Sequence, residues 1–350
     1  MSSSSSLAIV TGAAGWLGQG LVSAVVRGLS DSPWANAEAS CVRALILPGQ
    51  DASALRSLGA DIEVVEGDLR DPDASARLCQ AGAGSTVFHT AGVIHPRRVA
   101  EFYEVNVDGT RNLMQAARDA GARRIVVVSS NSECGCNPRR DHLFDEASPY
   151  HPYMNYGRSK MLMEMAVKEV QASGGLETVV VRAPWFYGPL QPPRQTLFLQ
   201  MIRDGKAPIV GDGNNLRSMA YIDNLCQGLI LAAQTPSANG KLYWIADERP
   251  YTMNQIVDTV ERLLESEFGQ KCAHRRLRLP SFVSDVAQLM DASIQSLGGY
   301  QQKIHVLSEM NKTIACSVTR AQSELSYRPM IALEEGMRRS IRWCLERGQL

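Results

Sequence analysis

Short apolar runs punctuate the first half of the chain, each closed by a turn-forming residue. Leu7-Ala8-Ile9-Val10 ends at Thr11-Gly12, Val42 to Leu47 at Pro48-Gly49, and Ile62 to Val65 at Gly67-Asp68. Thr86 to His89, Arg124 to Ser129 and Val179 to Arg182 continue the series. Runs of this length bounded by glycine and proline read as strands. Apolar residues at helical spacing lie between most of them, from Leu17 to Leu29 and from Asn106 to Ala120. Alternating strand and helix predicts an α/β fold, a doubly wound parallel sheet covered on both faces. The unbroken run Ile125-Val126-Val127-Val128 suits a strand buried on both sides.

The texture changes after the sixth run. Pro184, Pro189, Pro192, Pro193 and two glycine-rich turns interrupt the pattern to about residue 215. We therefore expect a first, sheet-bearing domain over 1–185 and a smaller, mostly C-terminal lobe over 186–350, with some later segments returning to the first domain. No apolar stretch is long enough to span a bilayer. Leu7 to Val10 is too short for a signal-peptide core, and the serine run Ser2 to Ser6 before it reads as a frayed tail.

Charge and cysteine content narrow the partners. Thirty-six basic residues balance thirty-six acidic ones, so no net field draws the chain to nucleic acid or an anionic membrane. The cluster Arg275-Arg276-Leu277-Arg278 reads as a solvated face. Eight cysteines without repeating spacing read as reduced thiols of a cytoplasmic protein. Cys134-Gly135-Cys136 lacks a second ligand pair, so no metal is expected.

Two motifs carry chemistry. Thr11-Gly12-Ala13-Ala14-Gly15-Trp16-Leu17-Gly18 lies between the first strand and first helix. Gly12 permits the tight turn, Gly15 the approach of a pyrophosphate, and Gly18 close helix–strand packing. The helix start then offers free N–H groups and the positive end of its dipole. In Tyr156-Gly157-Arg158-Ser159-Lys160, Tyr156 and Lys160 stand four apart and share a helix face. A free phenol titrates near pH 10, so it needs a nearby cation to act as a base at neutral pH. Tyr156 would exchange a proton with an alcohol while the nicotinamide exchanges hydride.

The Gly-x-x-Gly-x-x-Gly spacing with this Tyr/Lys pair resembles the extended short-chain dehydrogenase/reductase superfamily. Within it, the chain is similar to the NAD(P)-dependent epimerase/dehydratase family, with features of 3β-hydroxysteroid dehydrogenases. Supporting segments include Gly67-Asp68-Leu69, His89-Thr90-Ala91-Gly92, Val105 to Thr110, Gly211 to Asn224, Tyr327-Arg328-Pro329 and Leu333 to Gly336.

The resemblance implies a Rossmann sheet and a catalytic set of Tyr156, Lys160 and Ser130. It implies cofactor contacts from Gly12, Gly15, Trp16, Leu17, Gly18, Asp68, Leu69, Thr90, Ala91, Gly92, Asn106 and Pro184, besides Tyr156 and Lys160. Substrate contacts would come from Ser130, Ser132, Trp185 and Arg217, the last as a diphosphate clamp. Cys134 stands where the family usually has a tyrosine. Trp185 stands where nucleotide-sugar members often have an asparagine.

The cofactor expected is NAD(P). The second strand ends at Leu47-Pro48 without an acid or a base, and NAD is preferred. The leading expectation is an epimerase acting on a nucleotide sugar. Epimerase is favoured over dehydratase because Asn131-Ser132-Glu133 does not supply the dehydratases' acid pair. The alternative is a net dehydrogenase or reductase of an apolar alcohol or ketone, and a non-catalytic dinucleotide-binding protein is the third reading. A homodimer is possible.

Overall fold

The computed structural model describes residues 6–29, 39–59 and 61–350. Met1 to Ser5 of the serine tail lie outside the described residues, and Ser6 opens the first strand. Six strands of the central sheet are β1 (Ser6–Thr11), β2 (Ala39–Ile46), β3 (Ile62–Glu66), β4 (Thr86–His89), β5 (Arg124–Ser129) and β6 (Glu177–Arg182). The seventh is Lys241–Trp244. All pair in parallel. Across the sheet the order is Lys241–Trp244, β6, β5, β4, β1, β2, β3. The winding reverses between β4 and β1, which opens a crevice at their carboxyl ends. Thr11 and His89 face each other across that point.

Every strand feeds two cores. Val126 joins the apolar cluster of one face with Val10, Ala44 and Phe88. Its neighbours Ile125 and Val127 join the other face with Ile9, Leu45 and Val87. Successive side chains point to opposite faces, and because both faces are covered the central strands β1, β4, β5 and β6 do not alternate with polar residues. Each such valine or isoleucine contributes about 1.5–3 kcal/mol through burial.

Helix α1 (Trp16–Arg27) follows β1 directly. Helix Ile222–Gln234 packs on α1 and beneath β5 and β6, and Lys241–Trp244 then adds to the edge of β6. Both elements come after residue 186 in the chain, yet they lie in the layers of the central sheet.

A buried carboxylate fastens the closing segment. Asp247 accepts from the Tyr187 hydroxyl at 2.7 Å, the Tyr221 N–H at 3.0 Å and Asn224 Nδ2 at 3.1 Å. Burial pushes its carboxyl up to about 6. Asn224 also holds Met330 and Ile331 through their backbone groups. Gly336, on the final helix Leu333–Leu345, lies so close to Tyr187 that a Cβ there would sit 2.5 Å from its ring. The Tyr221-Ile222-Asp223-Asn224 segment thus contributes to this structural knot.

Two further helices, Phe282–Ser296 and Gln302–Glu309, pack on each other beside the start of helix Met154–Ser173. Gln295 Oε1 accepts from Asn155 Nδ2 at 2.9 Å, and the Tyr153 hydroxyl lies 2.8 Å from Ser308 Oγ. These bonds bring Tyr300, in the connection between the two helices, towards the tyrosine of the Tyr/Lys pair. Among the described residues no helix is long and apolar enough to cross a membrane.

Candidate active site

The glycine turn closes over the end of β1. Gly12 has φ of 64°, and a Cβ there would meet the Ala91 backbone at 2.8 Å. Gly18 is tighter, since a Cβ would sit 2.1 Å from the Gly12 carbonyl oxygen. Gly15 occupies the N-cap of α1, which has neither a side-chain cap nor an acid in its first turn. A Cβ on Gly15 would meet only Gly12 O, at 3.0 Å. The first-turn amides are thus left for an anion, and this cradle fits a pyrophosphate. Trp16 leaves the turn sideways: its ring lies 4.7 Å from that of Phe186, and its Nε1 donates to Pro189 O at 2.7 Å. Leu17 is buried in the core.

A polar chain locks the crevice floor. The Ala91 N–H donates to Thr11 Oγ1, which lies 2.8 Å from His89 Nδ1. His89 Nε2 lies 2.8 Å from Thr110 Oγ1, whose one proton goes to Asn106 O. His89 must therefore donate from Nε2, and because burial keeps the ring neutral, Nδ1 accepts from the Thr11 hydroxyl. Burial, then the charge of Lys160, pushes its pKa down to about 3. Thr90 Oγ1 donates to Thr11 O at 2.6 Å.

Asn106 sits in a widened π turn, Glu104–Gly109, ahead of helix Thr110–Asp119. Such turns re-aim a side chain. Asn106 accepts from Val93 N and donates to Val93 O and to Ser159 Oγ at 3.1 Å. It joins the loop after β4 to the helix of the Tyr/Lys pair. A Cβ on Gly92 would lie 3.5 Å from Lys160 Nζ, so the loop passes directly over that lysine.

Tyr156 and Lys160 lie on helix Met154–Ser173. Burial raises the Tyr156 pKa above the usual phenol value, and the neighbouring Ser130 side chain lowers it in part. Ser130 Oγ lies 3.3 Å from Ser132 Oγ. Lys160 Nζ donates to Val128 O at 3.0 Å, and burial brings its pKa down to about 8. The structure thus gathers Tyr156, Lys160, Ser130 and Ser132 at the carboxyl end of β5. Gly157 permits this, because a Cβ there would sit 2.2 Å from Ser132 O. The sequence places Gly157 inside the Tyr/Lys motif but carries no local signal of that need.

Buried aromatic rings pack beside Tyr156. Phe102 lies 5.7 Å from Tyr156 and 5.6 Å from Tyr300. His95 Nδ1 is 2.8 Å from the Tyr300 hydroxyl, and the His305 ring packs 5.5 Å from Tyr300. None of these four residues was singled out in the sequence. Their positions in the chain are too scattered to form a motif.

The remaining candidates are dispersed. Asp68 is engaged by Arg70, with Nη2 to Oδ2 at 2.6 Å, and that bond holds its carboxyl below the usual range. Leu69 packs under Gly109, and Pro184 is buried after β6. Trp185 packs edge-on against Phe198. Arg217 lies in a short strand paired with Tyr251–Thr252. Its Nη2 donates to Glu309 O at the end of helix Gln302–Glu309, and its Nε is buried without a hydrogen-bond partner among the described residues. Among the described residues no hydrogen bond or ion pair joins Arg217 to Tyr156 or Ser130. Glu133 turns away from Ser130 into the core, towards Arg182.

The family model "NAD dependent epimerase/dehydratase family" matches residues 8–246. The chain belongs to that family. It is therefore an enzyme of the NAD-dependent epimerase/dehydratase group, whose relatives span sugar-nucleotide isomerases, dehydratases and reductases. It is 52% identical over 98% of its length to the uncharacterized protein y4nL of Sinorhizobium fredii, covering 96% of that protein. It is 26% identical to the 3beta-hydroxysteroid-dehydrogenase/decarboxylase isoform 2 of Arabidopsis thaliana, over 95% of this chain and 61% of the plant enzyme. The chain thus spans less than two thirds of that relative. Among solved structures, dTDP-glucose 4,6-dehydratase DesIV of Streptomyces venezuelae, with NAD and TYD bound, aligns over 98% of both chains. Its TM-score is 0.75 at 25% identity.

Proposed function

We propose that this enzyme interconverts a secondary alcohol and its ketone on an apolar, ring-bearing substrate, with NAD as the hydride carrier. The observation that carries this reading is the cluster of Phe102, Tyr300 and His305 rings packed beside Tyr156. Ser130 would hold the reacting oxygen by a hydrogen bond, and Tyr156 would take or return its proton. Lys160, held by Val128 O, would favour the phenolate by its charge. The nicotinamide, when bound, supplies hydride acceptance and donation. Gly12, Gly15 and the first turn of α1 would hold its pyrophosphate. The plant relative named for 3beta-hydroxysteroid oxidation supports the same substrate class. Eight free thiols suit a reducing, cytoplasmic setting.

The reading placed first from sequence, epimerisation of a nucleotide sugar, is retained as the second. The buried, unpartnered Nε of Arg217 favours it. The two separate on cofactor balance, because net oxidation accumulates NADH and epimerisation does not. Purified enzyme would be offered NAD with polycyclic and prenylated secondary alcohols, and separately UDP- and dTDP-sugars. Absence of NADH with every apolar alcohol, together with epimerised sugar, would sink the first reading.

Arg217→Met gives a second discriminator. The guanidinium holds the Glu309 carbonyl, so its loss should cost about 1–3 kcal/mol of stability and lower Tm. KM for an apolar substrate should stay within about threefold, because no contact with that substrate is removed. A rise of about ten- to hundredfold in KM for a nucleotide sugar would instead identify a diphosphate clamp.

A further inference from the structure

Helix Phe282–Ser296 is inverted. Its buried side chains are Ser284, Ala287, Asp291 and Gln295. Hydrogen bonds fix that inner face. Ser284 Oγ donates to Leu307 O at 2.8 Å, Asp291 Oδ2 lies 2.7 Å from His305 Nδ1, and Gln295 Oε1 accepts from Asn155 Nδ2. The opposite face holds Phe282, Val286, Leu289, Met290 and, just past the last turn, Leu297. That spacing puts them on one side of the helix. All five are exposed, Leu289 at 71% and Leu297 at 89%. Single exposed apolar residues are ordinary, but a contiguous stripe marks a contact surface.

The unpaired charges around the stripe are of one sign. The run Arg275-Arg276-Leu277-Arg278, expected to be a solvated face, lies just before the helix. Arg276 is engaged by Asp258 and Glu261, whereas Arg275, Leu277 and Arg278 are exposed. At the other end the Arg98 backbone is bridged to that of Gly299, and the Val99 N–H donates to Gly298 O at 3.0 Å. This brings the exposed Arg97 alongside. Lys303, also exposed, lies in the first turn of the next helix. The side chains of Arg97, Arg275, Arg278 and Lys303 have no ion-pair or hydrogen-bond partner among the described residues. Asp285, an acid of the stripe's own helix, is neutralised by Lys312 at 2.8 Å.

We propose that this face is a docking surface for an anionic lipid bilayer. Helix Phe282–Ser296 lies at the boundary of headgroups and acyl chains, and the flanking cations meet the lipid phosphates. Such a helix rests in the interface and needs no spanning segment. The chain's balanced charge argued against an anionic membrane, but that balance holds for the whole chain and not for this face. Each cation near the surface adds attraction to anionic headgroups. A second copy of this chain fits less well. A two-fold contact along the stripe would set the basic end of one helix against the basic end of the other.

The lipid contact does not depend on the proposed substrate. Its consequence does: Leu297 leads into the connection that carries Tyr300, so an apolar alcohol dissolved in the bilayer would reach the enzyme on that side.

Flotation of the purified full chain with phosphatidylglycerol–phosphatidylcholine vesicles tests the proposal, with phosphatidylcholine vesicles as the neutral control. The protein should float with the anionic vesicles, at least about tenfold more strongly than with neutral ones, and less as salt is added. Leu289→Asp should lower the partition at least about tenfold and leave Tm unchanged, because the side chain is exposed. Arg275→Gln combined with Arg278→Gln should lower anionic binding by about tenfold or more. In Phe282→Trp the indole emission should shift to the blue when vesicles are added. No flotation, equal flotation on neutral vesicles, or a Leu289→Asp protein that floats as wild type does overturns the proposal. Light scattering without lipid reads the competing occupant: a wild-type dimer that Leu289→Asp splits would assign the face to a second copy instead. Vesicle binding without NADH from any apolar alcohol would sink the proposed function and leave the lipid surface standing.

Discussion

Tyr156→Phe is expected to lower turnover by about 10²–10⁴-fold while leaving the Kd for NAD and the melting temperature almost unchanged. The change removes one oxygen. Phenylalanine keeps the ring that packs 5.7 Å from Phe102. The Ser130 hydroxyl, which loses Tyr156, keeps Ser132 within reach and still accepts from the Ser132 N–H at 3.2 Å. No buried polar group is orphaned, so the stability cost should stay within about 1 kcal/mol. The glycine turn and Asn106 are untouched, so cofactor affinity should not follow turnover. An interaction needed only in the transition state lowers kcat and kcat/KM together. Steady-state kinetics with a cofactor titration and thermal melt on the same preparation check all three. A variant with half the wild-type turnover would remove Tyr156 as the proton carrier.

The six strands of the first half were legible because each feeds two buried faces. Such strands show as unbroken apolar runs, and the Thr86–His89 and Arg124–Ser129 limits coincide with the observed ones. The seventh strand was not legible. Lys-Leu-Tyr-Trp at Lys241–Trp244 is short, begins with a charge and lies on the sheet edge. Only its register against β6, with Leu242 opposite Val180, identifies it.

The helix predicted from Asn106 to Ala120 is present, but its first turn is wound as a π turn. Apolar periodicity does not register one inserted residue. Trp185 was expected to contact substrate. The structure shows Phe186 on Trp16 and Trp185 on Phe198. Glu133 was legible only as a missing half of an acid pair, because its partners Glu164 and Arg182 are distant in the chain.

Alanine at Gly15 and at Gly18 should give opposite signatures, and the contrast tests the proposed cofactor cradle directly. At Gly15, the N-cap has φ of −76° and ψ of 168°, an extended conformation open to any residue. The added methyl meets only the Gly12 carbonyl oxygen at 3.0 Å, so a few tenths of an ångström of movement relieves it. Folding stability should fall by no more than about 1 kcal/mol, since nothing buried is lost.

The methyl would, however, stand where a pyrophosphate must approach the first-turn amides, so NAD affinity should fall by at least about a hundredfold, or 2.7 kcal/mol. At Gly18 the methyl would lie 2.1 Å from Gly12 O and 2.7 Å from the Ala13 Cα. That clash is with the protein's own backbone and cannot be relieved by a side-chain rotation. Helix α1 must move off β1, so Tm should drop together with cofactor affinity, with stability falling by about 1–3 kcal/mol, as is typical of overpacking. Calorimetric NAD titration and thermal melts of both variants decide the matter. If Gly15→Ala binds NAD as wild type does, the pyrophosphate does not cross the start of α1 and the proposed cradle is wrong.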